Sequence, residues 1–286
     1  MSVDLHAHTT HSDGTFTPTE LIKLANEKNL TAIAITDHDI TSGIEEAISY
    51  SHKSGIKVVP GVELSVNYNL PGKGHLHILG LFIDPRHPLL NKSLQNLREE
   101  RLKRNQKILD RLKELGKPVS RDDLNSEAGI GTVGRPHIAA VMLKKGYVKN
   151  IREAFQRFLK SGAPAYFDRM RLNADQAIDL IHLAGGIAIV AHPLSLGFSS
   201  FKAAEEYILQ LKNTGLDGIE VYCSGQEEQI RQTMIQFARE NTMVVSGGSD
   251  FHGTVKPNLQ LGSGKGNLDI PDQVYKDLVN YWERNK

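Results

Sequence analysis

The chain has 286 residues, of which 40% are apolar, and its 34 lysines and arginines nearly balance its 33 aspartates and glutamates. This length suits one large globular domain or two small ones, and the ordinary glycine and proline counts exclude a fibrous repeat or a disordered chain. A single cysteine excludes an intramolecular disulfide and a cysteine-rich zinc site, and with no apolar run of roughly 18 residues and no secretory signal we expect a cytoplasmic protein.

Short runs of contiguous apolar residues recur along the chain and predict buried strands. They cover residues 3–6, 32–36, 57–63, 76–83, 187–191, 218–222 and 243–247. Helical patterns separate most of them, at residues 18–28, 43–54, 174–184, 201–213 and 227–241. Repeats of strand and helix predict an α/β fold with a parallel sheet, which seven strands would close or nearly close into a barrel. An open doubly wound sheet is the alternative, although no glycine-rich dinucleotide fingerprint follows the first strand.

One long segment breaks this alternation. Only helical patterns occur in it, at residues 89–115, 135–145 and 151–161. A long insertion between two strands of an α/β domain is commonly a lid or a substrate-binding subdomain. We therefore predict a catalytic barrel formed by residues 1–87 and 165–286, and a helical insertion subdomain formed by residues 88–164.

The balanced net charge hides an uneven distribution. Between Arg86 and Arg171 there are 20 basic and 9 acidic residues, whereas the rest of the chain has 14 basic and 24 acidic residues. The insertion is therefore basic and the barrel acidic. A basic helical segment is either a solvated surface or a surface that attracts an anion.

Histidines and carboxylates stand at nearly every predicted strand end. They are His6, His8 and Asp13 after the first strand, His38 after the second, Glu63 at the end of the third, His75 and His77 at the start of the fourth, His192 after the fifth, and Asp250 and His252 after the seventh. Because the carboxyl ends of parallel strands share one face, we expect these side chains to converge. A mixed set without thiolates suits Mn²⁺, Fe²⁺ or Zn²⁺, and at about three protein ligands per catalytic ion the set predicts two or three ions.

Several segments resemble, in order, the motifs of the PHP (polymerase and histidinol phosphatase) superfamily. They are Asp4-Leu-His-Ala-His-Thr with Ser12-Asp-Gly, Thr36-Asp-His-Asp, Gly61-Val-Glu, Ala191-His-Pro and Gly248-Ser-Asp-Phe-His. The resemblance implies a distorted (β/α)₇ barrel whose carboxyl-terminal face holds a trinuclear metal centre and hydrolyses phosphoesters. It also implies that the helical insertion lies over this metal-binding face.

The resemblance further implies three sets of metal ligands. The first is His6, His8, Glu63 and Asp250, the second is Glu63, His77 and His192, and the third is Asp13, His38 and His252. We choose His77 over His75 because it adjoins the apolar strand in a His-Ile-Leu-Gly element, and we assign His75 to substrate binding. Mn²⁺ is the expected ion, with Fe²⁺ and Zn²⁺ as alternatives.

Two further segments narrow the resemblance. Gly134-Arg-Pro-His-Ile-Ala, and the run from Ala184 to Pro193, are similar to the 3′,5′-nucleoside bisphosphate phosphatase branch of the family, which also contains enzymes that trim short RNA from the 5′ end. In that branch the insertion covers the metal-binding face. The resemblance therefore implies that Arg135 and His137 face the substrate phosphates.

We accordingly predict a metal-dependent phosphatase that removes the 3′-phosphate from nucleoside 3′,5′-bisphosphates (pAp to AMP). A metal-bridged hydroxide held by Glu63, Asp250 and His192 would attack phosphorus in line. The expected partner is a small anionic nucleotide or a short oligonucleotide, with no membrane and no obligate protein partner. The alternatives are a 5′-3′ exonuclease on short 5′-phosphorylated RNA or DNA, an L-histidinol-phosphate phosphatase, and a metal-storing or nucleic-acid-binding module without catalysis.

Overall fold

The strands predicted by the apolar runs are present in the computed structural model, which describes residues 2–68, 74–128 and 133–286. They are β1 (Ser2–Ala7), β2 (Leu30–Ile35), β3 (Lys57–Val66), β4 (Leu76–Leu81), β5 (Ile187–Val190), β6 (Gly218–Cys223) and β7 (Val244–Gly248). Within the described residues these strands form one sheet in chain order. At its two edges, the N–H of His8 donates to the carbonyl of Phe251 (2.9 Å) and the N–H of Asp250 donates to the carbonyl of His6 (3.0 Å). The sheet thus nearly closes, which confirms the predicted barrel.

Helices surround the sheet and fill the insertion. In the described residues they are α1 (Pro18–Glu27), α2 (Ile44–Ser54), α3 (Pro88–Glu114), α4 (Arg121–Ala128), α5 (Arg135–Lys144), α6 (Ile151–Ala154), α7 (Ala174–Leu183), α8 (Phe201–Asn213), α9 (Glu228–Glu240) and α10 (Asp272–Asn285). The sequence analysis missed α4, which is short and largely polar, and α10, whose buried Val274 and Leu278 have helical spacing. None of the described helices has the length and apolar character needed to cross a membrane.

Strand β4 runs against its neighbours, so the prediction of an all-parallel sheet is wrong at this strand. β4 pairs antiparallel with both β3 and β5, while the other pairs in the sheet are parallel. Residues 67–75 connect β3 to β4 and are too few for a helical crossover. The reversal puts the start of β4 at the same end of the barrel as the carboxyl ends of its parallel neighbours. This is why His77, the second residue of β4, reaches that end.

Strand β3 is also longer than predicted. It extends to Val66, so Glu63 lies within the strand rather than at its end. The first half of β3 pairs with β2 as far as Pro60, and the second half pairs with β4, where Glu63 is opposite Leu79. Glu63 therefore lies just after the point at which β3 changes from parallel pairing with β2 to antiparallel pairing with β4.

Two hydrophobic clusters lie on opposite faces of the barrel sheet. One contains alternate residues of the strands together with α10, and its members include Val3, Leu5, Ala32, Ala34, Leu79, Ile189 and Leu278. The other packs the sheet against the surrounding helices and includes Ile33 and Ile35 of β2. The register of β1 against β2 shifts between Asp4 and Ala7. Because a bulge of this kind changes the side-chain alternation, Leu5 belongs to the first cluster and Ala7 to the second.

The insertion has a hydrophobic cluster of its own. It includes Ile108, Leu112, Ile138, Met142, Phe158 and Leu159, which come from α3, α5 and the π-helical turn Phe155–Leu159 after α6. The beginning of α3 is different, because Leu90, Leu94 and Leu97 pack with the outer cluster of the barrel. Helix α3 therefore joins the two parts of the chain, and the domain boundary at residue 88 stays a prediction.

His182 takes part in a hydrogen-bonded network that links α7 to α10. Its Nε2 lies 2.8 Å from Oδ2 of Asp217, which also accepts the N–H of Ala188 (2.7 Å), while the Tyr281 hydroxyl donates to Oδ1 (2.8 Å). The hydrogen bond to Asp217 raises the pKa of His182 above its usual 6.5. Because the folded pKa is raised, this pair stabilises the protein below about pH 6.5, and its contribution is lost as the pH rises through the folded pKa.

We expect an NMR pH titration to place the His182 imidazole above 6.5 and to move it back towards 6.5 in Asp217→Asn. Comparing urea unfolding of the wild type with that of His182→Gln between pH 5 and pH 8 should show a stability difference that shrinks towards high pH. A wild-type His182 that titrates at or below 6.5 would contradict this assignment.

Candidate metal centre

The carboxylate of Glu63 is surrounded by five imidazoles. Its Oε2 lies 3.3 Å from Nε2 of His6, 3.2 Å from Nε2 of His8 and 3.0 Å from Nδ1 of His38, and its Oε1 lies 2.8 Å from Nδ1 of His77 and 3.0 Å from Nε2 of His192. The side chain is almost completely buried. Burial alone would raise the pKa of Glu63, but the imidazoles around it hold the pKa well below its usual range. Both oxygens of the Glu63 carboxylate therefore lie beside several potential metal ligands.

The first predicted ligand set is brought together. One ligand atom from each of His6, His8, Glu63 and Asp250 lies within 4.8 Å of the others. Oδ1 of Asp250 is 3.6 Å from Nε2 of His6 and 3.4 Å from Nε2 of His8. The second carboxylate oxygen of Asp250 accepts a hydrogen bond from the Lys256 ammonium (2.6 Å), which leaves Oδ1 facing the imidazoles.

The third predicted set also converges. His8, Asp13, His38 and His252 form a second group of potential ligands within 4.8 Å. Oδ1 of Asp13 lies 3.3 Å from Nε2 of His252, and its Oδ2 lies 4.0 Å from Nε2 of His38. His8 thus stands between the first and third sets.

The second predicted set meets at Glu63, which contacts both His77 and His192. His75 lies nearby as well, with its ring centre 4.8 Å from that of His77 and 5.4 Å from that of His192. These three histidines form a group of potential ligands on their own. The choice of His77 over His75 as the ligand stays a prediction, although only His77 of the two makes a contact with Glu63 that is this short.

Local backbone geometry makes room for this convergence. Asp250 (φ 55°) and His192 (φ 31°) both adopt left-handed conformations, which are uncommon for residues with a Cβ and are enriched at functional sites. Gly248 is required for a different reason, because a Cβ at this position would lie 2.2 Å from Cβ of His6. Any larger residue at 248 would push β7 away from the ligands of β1.

The surroundings of the imidazoles shift their pKa values in two ways that bear on binding a cation. Burial lowers the pKa of His38 to about 3, so this ring is neutral, which is the form that binds a metal. For His8, burial alone would lower the pKa, but the adjacent carboxylates of Asp250 and Glu63 outweigh it and raise the pKa to about 9. A metal ion would replace the proton that His8 holds between these carboxylates.

Buried polar atoms without hydrogen-bond partners indicate which kind of ligand the cluster of histidines and carboxylates fits. Among the described residues, Oδ1 of Asp13, Nδ1 of His38 and Oε2 of Glu63 are buried without a hydrogen-bond partner. Buried polar atoms are normally satisfied, and these three belong to potential ligand groups of nitrogen and oxygen donors. This donor set fits divalent cations of the Mn²⁺, Fe²⁺ and Zn²⁺ type.

Glu220 supports the cluster and was missed by the sequence analysis. Its Oε1 lies 3.1 Å from Nδ1 of His6, and its Oε2 accepts the backbone N–H of His192 (2.6 Å). The signal in the sequence was an acidic residue within the apolar run Gly218–Cys223. A carboxylate that accepts from Nδ1 of a histidine fixes the tautomer that presents Nε2 to a metal.

Asp37 supports the ligands in a similar way. It accepts hydrogen bonds from the backbone N–H (2.8 Å) and the hydroxyl (2.6 Å) of Thr9, and from the hydroxyl of Ser12 (2.5 Å). These bonds fix the loop that carries Asp13.

The insertion contacts the barrel beside the ligands. Arg101 of α3 and Arg169 both donate to Oδ2 of Asp39, the latter at 2.9 Å, and they hold the pKa of this buried carboxyl at about 2. Asp39 directly follows His38, and its N–H donates to the carbonyl of Glu63 (3.0 Å). Helix α3 is thereby attached to the end of the barrel where the ligands converge.

The two predicted substrate residues of the insertion lie at the start of α5. The guanidinium of Arg135 donates to the carbonyl of Leu159 (3.0 Å) and lies over the ring of Tyr166, at 5.3 Å. His137 is buried, and its Nδ1 accepts the N–H of Gly134 (3.0 Å), which caps the first turn of α5. Only Nε2 of His137 is left to face a ligand, and both substrate assignments stay predictions.

Comparisons with known proteins agree with the motifs. Residues 4–214 match the PHP domain family model. The chain is 38% identical over 281 residues to a 5′-3′ exoribonuclease of Haemophilus influenzae, with 98% of each chain covered. It is 32% identical over 282 residues to a 3′,5′-nucleoside bisphosphate phosphatase of Chromobacterium violaceum, covering 97% of this chain and 96% of the relative.

Solved structures show the same fold. An amidohydrolase from Chromobacterium violaceum with bound sulfate and no metal superimposes with a TM-score of 0.82 at 31% identity, covering 98% of this chain and 96% of that one. A structure described as a putative metal-dependent phosphoesterase from Bifidobacterium adolescentis gives the same TM-score at 28% identity, covering 97% and 95%. The chain therefore belongs to the PHP domain family, and it is a metal-dependent phosphoric ester hydrolase.

Proposed function

We propose that this protein removes the 3′-phosphate from nucleoside 3′,5′-bisphosphates. The observation that carries the proposal is the buried Glu63 carboxylate shared by five imidazoles, beside two further carboxylates. A relative that aligns along nearly its whole length is named 3′,5′-nucleoside bisphosphate phosphatase. The basic insertion supports a substrate with more than one phosphate. A phosphomonoester without further charge would leave the arginines of the insertion without an anionic partner.

The proposed ligands are those of the three sets. His6, His8, Glu63 and Asp250 would hold one ion, Glu63, His77 and His192 a second, and Asp13, His38 and His252 a third. We propose two or three ions, with Mn²⁺ as the first candidate and Fe²⁺ or Zn²⁺ as alternatives. When bound, such ions supply Lewis acidity and lower the pKa of water.

The protein's own side chains would orient the reactants. Glu63, Asp250 and His192 would hold the attacking water. Arg135 would bind a phosphate of the substrate through the guanidinium N–H groups that do not donate to the carbonyl of Leu159. We place His137 and His75 beside the substrate. Residues 88–164 would form the subdomain that covers it.

A 5′-3′ exonuclease on short 5′-phosphorylated RNA or DNA is the second candidate. The relative from Haemophilus influenzae, which aligns over 98% of both chains, is named as a 5′-3′ exoribonuclease. The bond broken is again a phosphoester on a 3′ oxygen, so the same centre would serve both reactions.

The test combines metal analysis with a substrate panel. Protein purified without added metal should contain divalent ions, and with Mn²⁺ supplied it should show its highest kcat/KM on adenosine 3′,5′-bisphosphate. A higher value on a 5′-phosphorylated tetranucleotide would establish the second candidate instead. A higher value on L-histidinol phosphate would overturn both, and tight RNA binding without hydrolysis of any phosphoester would indicate a binding module.

A further inference from the structure

A lysine approaches the candidate metal centre. The ammonium of Lys256 donates a hydrogen bond of 2.6 Å to Oδ2 of Asp250. Within the described residues, every other ion pair of Asp13, Glu63 and Asp250 is with a histidine. An ammonium cannot bind a metal, because it has no acceptor, and its positive charge repels a divalent cation. The presence of Lys256 at this place therefore needs an explanation other than metal ligation.

The backbone around Lys256 directs its side chain towards Asp250. The short 3₁₀ turn Gly253–Val255 precedes it, and the N–H of Lys256 donates to the carbonyl of Gly253 (3.2 Å). The turn is attached to the loop after β1, because the N–H of Thr254 donates to Oγ1 of Thr15 (3.0 Å). Gly253 has a φ of 67°, and a Cβ at this position would overlap Oγ1 of Thr15. The position of Lys256 is thus set by packed backbone.

The two carboxylate oxygens of Asp250 have different surroundings. Oδ2 accepts from Lys256, whereas Oδ1 lies 3.6 Å from Nε2 of His6, 3.4 Å from Nε2 of His8 and 3.4 Å from Nδ1 of His252. A carboxylate can bind a metal ion through one oxygen or through both. Because the ammonium holds Oδ2, Asp250 can offer only Oδ1 to an ion beside these imidazoles.

Ligation through one oxygen has a consequence for catalysis. A catalytic metal site keeps a coordination position open for water, and a second oxygen of the same carboxylate would fill such a position. Lys256 differs in this respect from Glu220, whose negative charge lies behind His6 and favours metal binding. The positive charge of Lys256 disfavours metal binding, so its benefit must lie in turnover.

We propose that Lys256 is a positioning residue that restricts Asp250 to metal ligation through Oδ1, at a cost in metal affinity, and thereby keeps a position open for the attacking water. This inference rests on the proposed function only through the assignment of Asp250 as a ligand, and it is independent of which phosphoester is hydrolysed. It requires that loss of the ammonium strengthens metal binding and slows turnover at the same time.

The experiment uses Lys256→Met, which keeps most of the length of the side chain and removes its charge. Titration of chelator-treated protein with Mn²⁺, followed by calorimetry without substrate, should show affinity about threefold to fivefold higher than in the wild type, as expected for a partly exposed charge. At saturating Mn²⁺, kcat should fall about 10- to 100-fold with little change in KM. The kinetics use the substrate with the highest kcat/KM in the panel described above.

Water-proton relaxation of the Mn²⁺-loaded protein provides a readout that does not depend on activity. Lys256→Met should relax water protons more weakly than the wild type, because the freed Oδ2 of Asp250 would displace a coordinated water. Lys256→Arg keeps the positive charge and should restore wild-type Mn²⁺ affinity, relaxation and most of kcat. Lys28→Met, which removes an exposed lysine after α1, is the matched control and should change none of these values.

A merely structural role for Lys256 would give the opposite sign for metal binding. It would lower the melting temperature of Lys256→Met and weaken its binding of Mn²⁺. Unchanged or weaker Mn²⁺ binding, or an unchanged kcat, would overturn the proposal while the proposed function stands. If the wild type hydrolysed no substrate of the panel, the proposed function would be refuted, and the Mn²⁺ affinity and water relaxation of Lys256→Met would still decide this inference.

Discussion

Glu63→Gln should lower kcat by about 10³-fold or more and reduce the metal content of the purified protein. The substitution keeps the size of the side chain but removes the charge that five imidazoles share, and an amide nitrogen cannot act as a ligand. Under the proposed function Glu63 would be shared by two ions, so its loss would remove several kcal/mol of transition-state stabilisation, and each 1.36 kcal/mol corresponds to a factor of ten in rate. Steady-state kinetics on adenosine 3′,5′-bisphosphate and elemental analysis of the same sample would measure both effects.

The matched control is Glu27→Gln, an exposed glutamate of α1 that should retain wild-type kinetics and metal content. Circular dichroism should show that Glu63→Gln keeps its secondary structure, since Glu63 lies in a strand paired on both sides. If the variant kept most of its activity and its full metal content, the central role of Glu63 would be wrong.

The sequence predicted that the potential ligands would converge because they stand at or near the ends of apolar strands. Residues such as His6, His38 and Asp250 occupy positions that any β/α barrel brings to one face, so their convergence follows from topology alone. This convergence can be predicted without information on side-chain packing. The structure brings together the members of all three predicted sets.

Other features depend on contacts between distant segments, which periodicity does not reveal. The reversal of β4 follows from a connection too short for a helix, yet an apolar run reads the same in either direction. The partners of Asp39 lie 62 and 130 residues away in sequence, so its link to Arg101 and Arg169 appears only in the folded chain. The composition of the insertion shows its excess of basic residues, but it does not show that Arg104 is buried.

Glu220→Gln should weaken metal binding about 10- to 100-fold while largely preserving kcat at saturating metal. Glu220 accepts from Nδ1 of His6 and from the backbone N–H of His192, so it orients two proposed ligands without being one. A glutamine has one acceptor oxygen and can keep only one of these bonds. Losses of this size are typical when a carboxylate behind a metal-binding histidine is removed. The Mn²⁺ concentration that gives half-maximal activity in chelator-treated enzyme measures the effect.

A merely structural role for Glu220 would produce a different pattern. It would lower the melting temperature and reduce kcat at every metal concentration, whereas an orienting role shifts the metal dependence and lets excess Mn²⁺ restore turnover. Glu206→Gln, an exposed glutamate of α8, provides the matched control, with an unshifted metal dependence. An unshifted metal dependence in Glu220→Gln would show that the tautomer of His6 is fixed without this carboxylate. A restored kcat would instead place Glu220 behind the ligands, as its two hydrogen bonds require.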